Sequence, residues 1–131
     1  MLFFDSYKEA HEVLKIKGSY QRGTIGNPID GVTSLKITEN PKSFDRISKD
    51  LRHIWYVGKG KKSSQGEPAV NQIVEDQALF FKSLETQKDF PVLMKLHGDF
   101  VVYLGQYKVT KTEKKTKNKV HYFQIELQQT N

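Results

Sequence analysis

The spacing of apolar residues along the chain predicts two helices. The first spans residues 5–17, because Ser6 and Glu9 have the spacing of a capping box and Gly18 is a common helix terminator. The second, longer helix spans residues 67–87. Their apolar faces are formed by residues about three or four positions apart. These are Tyr7, Ala10, Val13 and Leu14 in the first helix, and Ile73, Val74, Gln77, Ala78, Phe80, Phe81 and Leu84 in the second.

Runs rich in β-branched and aromatic residues predict strands between and after these helices. The predicted strands are 32–38, 53–57, 91–96, 99–111 and 119–128. The last strand alternates apolar and polar residues, which is the period of a half-buried strand. Residues 112–118 form a short polar linker, so the last two strands are predicted to form a hairpin. Glycine, proline or polar residues dominate 19–31 and 39–50, which are predicted to be irregular.

The order of these elements predicts a mixed α+β fold. The strands outnumber the helices, and their connections are too short for regular βαβ crossovers. We therefore predict a curved, barrel-like, mainly antiparallel sheet with two main helices. The length of 131 residues suits one domain, with an N-terminal helix and loop over 1–31 and a core over 32–131.

The balance of charge adds a candidate partner. The formal net charge is +6 and the isoelectric point is about 9.4, in the range of nucleic-acid-binding domains. Many domains with this excess bind no polyanion, so the clustering of the lysines is the stronger signal. The clusters are Lys59, Lys61 and Lys62, and then Lys108, Lys111, Lys114, Lys115, Lys117 and Lys119.

Several classes of chemistry are disfavoured by the sequence. There is no cysteine, which excludes disulfides and thiolate metal sites. The histidines lack metal-ligand spacing, and the glycine- and lysine-rich segment 58–64 lacks the spacing of a phosphate loop. We therefore expect no cofactor and no catalytic site. No run approaches the roughly 20 apolar residues of a membrane span, and the first residues lack the order of a signal peptide. We expect a cytoplasmic protein that does not contact a membrane.

Four segments resemble motifs of the SRA domain (the SET- and RING-associated, or YDG, domain), and they occur in the same order as in that family. They are YVGKG (56–60), NQIVEDQALFFKSLE (71–85), FPVLM (90–94) and the stretch from YLGQYKV to FQIEL (103–127). Leu104 stands where the family has the aspartate of its YDG signature, and the arginine of its PVRV strand is replaced by Leu93. Domains of this family read modified cytosine in DNA and also serve as recognition modules of modification-dependent restriction enzymes. The wider PUA-like group shares much of this outline.

The resemblance implies a base pocket. In the family, the tyrosine of the YxGxG motif stacks on a nucleotide flipped out of the duplex, and Tyr56 takes that position here. An aromatic residue and an acid that reads the base edge come earlier in the family. Phe44 and Asp45 stand in that place, with Asp50 as an alternative acid. Trp55 is the other candidate pocket residue, although strand alternation places it and Tyr56 on opposite sides.

Basic side chains near this pocket are predicted to contact the DNA backbone. They are Arg22, Lys59, Lys61, Lys62, Lys108, Lys114, Lys115 and Lys117. Tyr20 is predicted to insert beside the duplex as a wedge. Each prediction has an ordinary alternative: core packing for the aromatic residues of the predicted pocket, and solvated loops or a soluble hairpin tip for the basic residues and Tyr20.

The leading hypothesis is a non-catalytic domain that recognises a modified base, 5-methylcytosine or a related cytosine, in duplex DNA by base flipping. Such a module would serve a restriction system through a nuclease or NTPase on another domain or subunit. The end of the sequence at ELQQTN fits the N-terminal domain of a larger restriction protein. The alternatives are a PUA-like RNA-binding module, or a small enzyme or interaction domain whose positive charge is incidental.

Overall fold

The computed structural model describes residues 2–38, 46–57, 61–62, 68–69, 71–96, 98–117 and 120–130. Its helices are α1, Tyr7–Leu14, and α2, Asn71–Thr86. The strands are β1 Leu2–Phe4, β2 Thr24–Asn27, β3 Gly31–Thr38, β4 Arg46–Ile47, β5 His53–Tyr56, β6 Lys61–Lys62, β7 Pro68–Ala69, β8 Phe90–Lys95, β9 Val101–Lys117 and β10 Val120–Gln129.

Most of these strands form one mainly antiparallel sheet. The order is β2-β3-β8-β9-β10-β5-β4, β1 pairs with β9, and the pairing of β3 with β8 is parallel. The first part of β9 pairs with β8 and β1, whereas its later part pairs with β10. The α+β class and the mainly antiparallel sheet are confirmed. Among the described strands the sheet is open, because its end strands β2 and β4 do not pair with each other.

Helix α2 packs on one face of this sheet, which we call the inner face. Phe80 is buried, and the hydroxyl of the buried Ser83 accepts a hydrogen bond from the Val32 N–H at 2.7 Å. This face carries the larger core, because alternate residues of the strands point toward the helix. Its buried members are Val32, Leu35, Ile37, Ile54, Phe80, Phe90, Val92, Val102, Leu104, Tyr107, Val109, Ile125 and Leu127.

Helix α1 packs on the opposite, outer face of the sheet, over β1 and the adjoining ends of β8 and β9. The buried residues of this smaller core are Phe4, Ala10, Leu93 and Val101. The predicted cap of α1 is confirmed, since the Ser6 Oγ accepts from the Glu9 N–H at 3.2 Å. The predicted end of α1 at Gly18 is wrong.

The helix α1 ends earlier because Lys15 adopts a left-handed conformation, with φ 55°, and its N–H donates to the carbonyl of His11. This cap completes the helix without a glycine. Val13, predicted to lie on the apolar face, is 57% exposed.

Four described strands, β1, β2, β4 and β6, lie outside the predicted elements, β7 lies within the predicted helix 67–87, and β9 is longer than predicted. β1, β2 and β4 are short and gain their stability from pairing with neighbours rather than from their own sequence. The polar residues 112–117 were predicted as a linker, but they continue β9 because each pairs in register with β10. In the described segments, neither helix has the length and apolarity needed to cross a membrane.

Candidate nucleic-acid interface

Tyr56 ends β5 on the inner face of the sheet. It lies two residues after the buried Ile54 and directly opposite Ile125 of β10. Its half-buried ring lies 5.7 Å from the Phe80 ring, between centroids, at an interplanar angle of 39°. Phe80 is only 2% exposed, so the helix supports the tyrosine from the protein side.

A second aromatic contact extends this surface along α2 and β10. The rings of Phe81 and Phe123 meet edge to face, with 6.4 Å between their centroids. Phe123 lies two residues before Ile125, the partner of Tyr56, so it is on the same face of the sheet. We call Tyr56, Phe80, Phe81 and Phe123 the aromatic ledge. Phe81 is 44% exposed, which leaves part of the ledge open to solvent.

Trp55 lies on the outer face and not beside Tyr56. The Arg46 guanidinium lies 5.5 Å from the centre of its ring, and the His53 ring is stacked 6.1 Å from it at 26°. The two neighbouring aromatic residues of β5 therefore do not line one pocket. The prediction that Trp55 joins the pocket of Tyr56 does not fit this placement, because alternation along a strand sends adjacent side chains to opposite faces.

The lysines of the β9–β10 hairpin are divided between the two faces. Lys114 lies opposite Phe123 and beside the aromatic ledge, and its side chain is exposed. Lys108 and Lys115 lie on the outer face instead. Lys115 pairs with the Glu113 carboxylate at 3.7 Å, and Lys111 contacts the same carboxylate at 3.5 Å. The lysines grouped in the sequence therefore do not form one basic surface.

The alternative acid Asp50 lies in the β4–β5 turn, at the end of β5 away from Tyr56. Its Oδ1 accepts hydrogen bonds from the Ser48 hydroxyl at 2.7 Å and from the Arg52 N–H at 3.1 Å. These hydrogen bonds hold the pKa of the Asp50 carboxyl below its ordinary value. Asp50 is therefore a turn residue in this structure and is not brought together with Tyr56.

Tyr20 and Arg22 are also separated from Tyr56. Their backbone carbonyls accept hydrogen bonds from the Lys36 ammonium, at 2.8 Å in the case of Arg22. Lys36 lies on the outer face of β3, and three strands, β8, β9 and β10, separate β3 from β5. The predicted wedge therefore lies on the other side of the sheet from the aromatic ledge.

The charged groups around Lys36 are strongly affected by burial. Desolvation lowers the pKa of the Lys36 ammonium to about 8, while its aliphatic stem is buried and its Nζ lies 4.9 Å from the centre of the Tyr7 ring. The pKa of His11 is lowered, first by burial and then by the positive charge of Lys36. These groups fasten the segment after α1 to the sheet.

Several predicted site residues lie outside the described residues or have side chains that do. Phe44, Asp45, Lys59 and Lys119 are outside the described residues. The backbones of Lys61 and Lys62 form β6 and pair with β7, and Lys117 ends β9, but their side chains are outside the description. Their predicted contacts with DNA stay predictions.

Comparison with known proteins identifies the fold. No protein-family model and no curated protein matches the sequence. The SUVH5 SRA domain, solved in complex with hemimethylated CG DNA, has a TM-score of 0.71 at 19% sequence identity, and the match covers 96% of this chain and 84% of that one. This chain has the SRA fold. The resemblance inferred from the sequence motifs is confirmed at the level of the fold.

Longer proteins contain the same SRA fold. KRYPTONITE, solved in complex with mCHH DNA, has a TM-score of 0.72 at 14% identity, and SUVH9 has a TM-score of 0.67 at 15% identity. Each match covers 99% of this chain, but only 31% of the KRYPTONITE chain and 28% of the SUVH9 chain. This chain thus corresponds to about a third of those proteins.

Four residues that form these aromatic contacts, Phe80, Phe81, Phe123 and Arg46, are not identified as site residues by the sequence. The sequence predicts Phe80, Phe81 and Phe123 only as members of apolar faces, and it places Arg46 in a segment predicted to be irregular. A strand prediction at Arg46–Ile47 would have paired Arg46 with Trp55, but two residues are too few for a periodic signal. In the described parts of the chain, no group of three or more histidine or acidic residues could hold a metal ion.

Proposed function

We propose that this protein binds duplex DNA that carries a modified base and reads that base beside Tyr56. The observation that carries the proposal is the SRA fold, matched over 96% of this chain by a domain solved with hemimethylated CG DNA. Further matches are the SUVH5 SRA domain bound to hydroxymethylated CG DNA and its complex with methylated CHH DNA.

The aromatic ledge supports this proposal because it provides a surface on which a base can stack. Phe80 supports the Tyr56 ring at 5.7 Å and fixes its orientation. Extruding a base from a duplex costs a few kcal/mol. Stacking on an aromatic side chain contributes about 1–3 kcal/mol and offsets much of that cost. Tyr56 is therefore the residue on which the proposed recognition depends most.

Among the residues whose side chains are described, Lys114 is the proposed phosphate contact nearest to this surface. It lies opposite Phe123 in the β9–β10 hairpin and is exposed on the inner face. A lysine at the edge of an aromatic surface can neutralise a phosphate while the base is held by stacking. Lys59, Lys61 and Lys62, which follow Tyr56 directly in the chain, are proposed as further contacts.

The ligand we propose first is duplex DNA containing 5-methylcytosine. The family resemblance supports this choice, and Asp45 is the proposed acceptor for the exocyclic amine of the cytosine. We also propose that the domain is non-catalytic and supplies specificity to a nuclease or NTPase of a restriction system. Cells that co-express such a partner should be transformed less efficiently by methylated plasmid than by unmethylated plasmid. Equal transformation efficiencies for the two plasmids would contradict this role.

The direct experiment is a fluorescence-anisotropy titration of the protein with matched duplexes. The duplexes are unmodified, cytosine-methylated, hydroxymethylated, adenine-methylated and phosphorothioate, each at two salt concentrations. We expect one modified duplex to bind more tightly than the unmodified one. Tyr56→Ala should weaken that binding about tenfold or more because a stacking contact is lost, whereas Tyr56→Phe should retain most of it.

The control variant is Phe100→Ala, which removes an exposed aromatic side chain beside the start of β9. It should leave the preference for modified DNA unchanged. Equal affinity of the protein for all duplexes would exclude a reader of modified bases. Tighter binding to RNA than to every duplex would favour the PUA-like alternative.

A further inference from the structure

The outer face of β4, β5, β10 and β9 carries a row of planar side chains. The guanidinium of Arg46 lies 5.5 Å from the centre of the Trp55 ring, and the imidazole of His53 is stacked on Trp55 at 26°, with 6.1 Å between the ring centroids. Among the described residues, α2 packs on the inner face and α1 packs over Leu93 and Val101, away from this row. Trp55 and His53 are half-buried and Arg46 is exposed. Each of these groups therefore keeps part of its surface exposed to solvent.

A row of lysines runs parallel to these planar groups on β9. In the register of the sheet, Trp55 is opposite Glu126, which is opposite Lys111. In the neighbouring row, Gln128 lies between His53 and Lys108 in the same way. Two strand spacings, about 10 Å, separate the planar groups from the lysines. We call Arg46, His53, Trp55, Lys108 and Lys111 the outer platform.

The charge of this surface is positive. With Lys115, the described outer side chains of these strands include four cations and two anions, Glu113 and Glu126, an excess of two positive charges. The contacts of Lys111 and Lys115 with Glu113, at 3.5 and 3.7 Å, are exposed and weak. Phosphates can therefore replace the carboxylate as partners of these lysines.

We propose that the outer platform binds single-stranded nucleic acid, with a base stacked beside Trp55 and the phosphates along the lysines of β9. Unpaired bases stack on aromatic side chains and on guanidinium planes, and basic residues beside them follow the backbone. A nucleic-acid strand bound along β10 contacts both the planar side chains of β4 and β5 and the lysines of β9. The bases of a duplex are stacked on one another and present no free ring face to Trp55, so the outer platform selects single strands. This site is on the opposite face from the aromatic ledge and does not depend on the proposed reading of modified DNA.

Trp55 is the only tryptophan of the chain, so its fluorescence reports this site alone. We would titrate the full chain with oligothymidylate and oligouridylate of about 12 nucleotides and with a duplex of the same length. We expect saturable quenching by the single strands that weakens with salt. Quenching by only one of the two oligonucleotides would identify DNA or RNA as the source of the ligand.

Two variants then test the two rows separately. Trp55→Ala should weaken the binding of a dye-labelled single strand about tenfold, measured by anisotropy. The double variant Lys108→Ala/Lys111→Ala keeps the fluorescent reporter. It should lower the slope of log affinity against log salt by about 0.7 for each lost phosphate contact. Lys8→Ala, which removes one exposed positive charge on α1, is the control and should leave the binding unchanged.

The proposal is overturned if single strands do not bind. It is also overturned if they bind without quenching Trp55, since the binding site would then lie elsewhere. The same holds if the double lysine variant binds and quenches like the wild type. None of these results affects the preference for modified duplexes, which is tested through Tyr56. The two proposals can therefore fail independently.

Discussion

At the scale of single residues, Tyr107 links the large core to the β4–β5 turn. Among the described residues it is the largest fully buried side chain, and its hydroxyl donates a hydrogen bond to the carbonyl of Leu51. Leu51 has φ of 61°, a conformation that costs energy for a residue other than glycine. Burial, with a smaller effect from the nearby Asp50, raises the pKa of Tyr107 to about 12. The hydroxyl therefore stays protonated and holds this turn.

We expect Tyr107→Phe to lower the free energy of unfolding by about 1–2 kcal/mol, because the carbonyl of Leu51 loses its partner. Urea unfolding at neutral pH measures this loss. Tyr20→Phe, at an exposed position, is the control and should change stability by less than about 0.5 kcal/mol. The wild type should also lose stability relative to Tyr107→Phe between pH 10 and 12, because the unfolded tyrosine ionises first. Equal stability of the two proteins would contradict the role of this hydroxyl.

Lys36 provides a second prediction at the residue scale. Its pKa is lowered from 10.5 in the unfolded chain to about 8 in the folded protein, so between these values the unfolded state binds more protons. The free energy of unfolding therefore rises with pH across this window. In Lys36→Met this rise disappears, so the wild type should gain about 2 kcal/mol relative to the variant from pH 8 to pH 10. Urea unfolding across this range measures the gain.

The control for this experiment is Lys8→Met, at an exposed position on α1. Its stability should run parallel to that of the wild type over the same range of pH. A constant difference between wild type and Lys36→Met would show that Lys36 does not change its pKa on folding.

At the scale of elements, the contact between α2 and β3 positions the aromatic ledge. Gly31 begins β3 with φ of 80°, and a Cβ atom there would lie 2.5 Å from the Ser83 Oγ and 2.9 Å from the Leu79 carbonyl. The helix can approach the strand because this position has no side chain. Phe80 belongs to the same helix, so this contact also sets where Phe80 meets Tyr56.

We expect Gly31→Ala to lower the free energy of unfolding by about 2 kcal/mol or more, because the added methyl group meets backbone and the conformation is strained. Gly23→Ala is the matched control, since a Cβ atom at Gly23 has no neighbour within 4 Å. Thermal or urea unfolding of both variants measures the difference. If the two variants were equally stable, the close approach of α2 to Gly31 would not matter for folding.

At the scale of the whole molecule, the sheet separates two cores of unequal size. Among the described residues, the inner core has thirteen buried members and the outer core has four. The smaller core holds α1 and β1, and β1 contributes only three residues to the sheet. Because a small cluster buries little apolar surface, α1 and β1 should open without unfolding the rest of the protein.

Native-state hydrogen exchange tests this difference. Amides of α1 should exchange through an opening of lower free energy than amides in the middle of β10. Ile125→Val, in the inner core, should lower the free energy of opening of the β10 amides by about 1 kcal/mol. It should leave the free energy of opening of the α1 amides unchanged. An equal fall in both elements would mean that the two cores unfold together.

The sequence by itself determined the features that depend on neighbouring residues. The cap at Ser6, the C-terminal end of α2, the central residues of strands β3, β5, β8 and β10 and the α+β class all follow from short-range periodicity and capping, whereas the predicted start of α2 at residue 67 is wrong. The motif order also indicated the SRA fold, which the structure comparison confirmed at 19% identity. Tyr56 could be named as a candidate because its motif is local, ending a strand before a glycine-rich segment.

Only the tertiary structure decided which of these residues lie together. Phe80 meets Tyr56 across 24 positions of sequence, and Arg46 meets Trp55 only because β4 pairs with β5. The register of β9 against β10 skips Thr110, which sets the face on which each later lysine lies. Lys114 and Lys115 are adjacent in sequence but lie on opposite faces. Strand pairing and register arise from contacts between distant segments, and no local pattern contains that information.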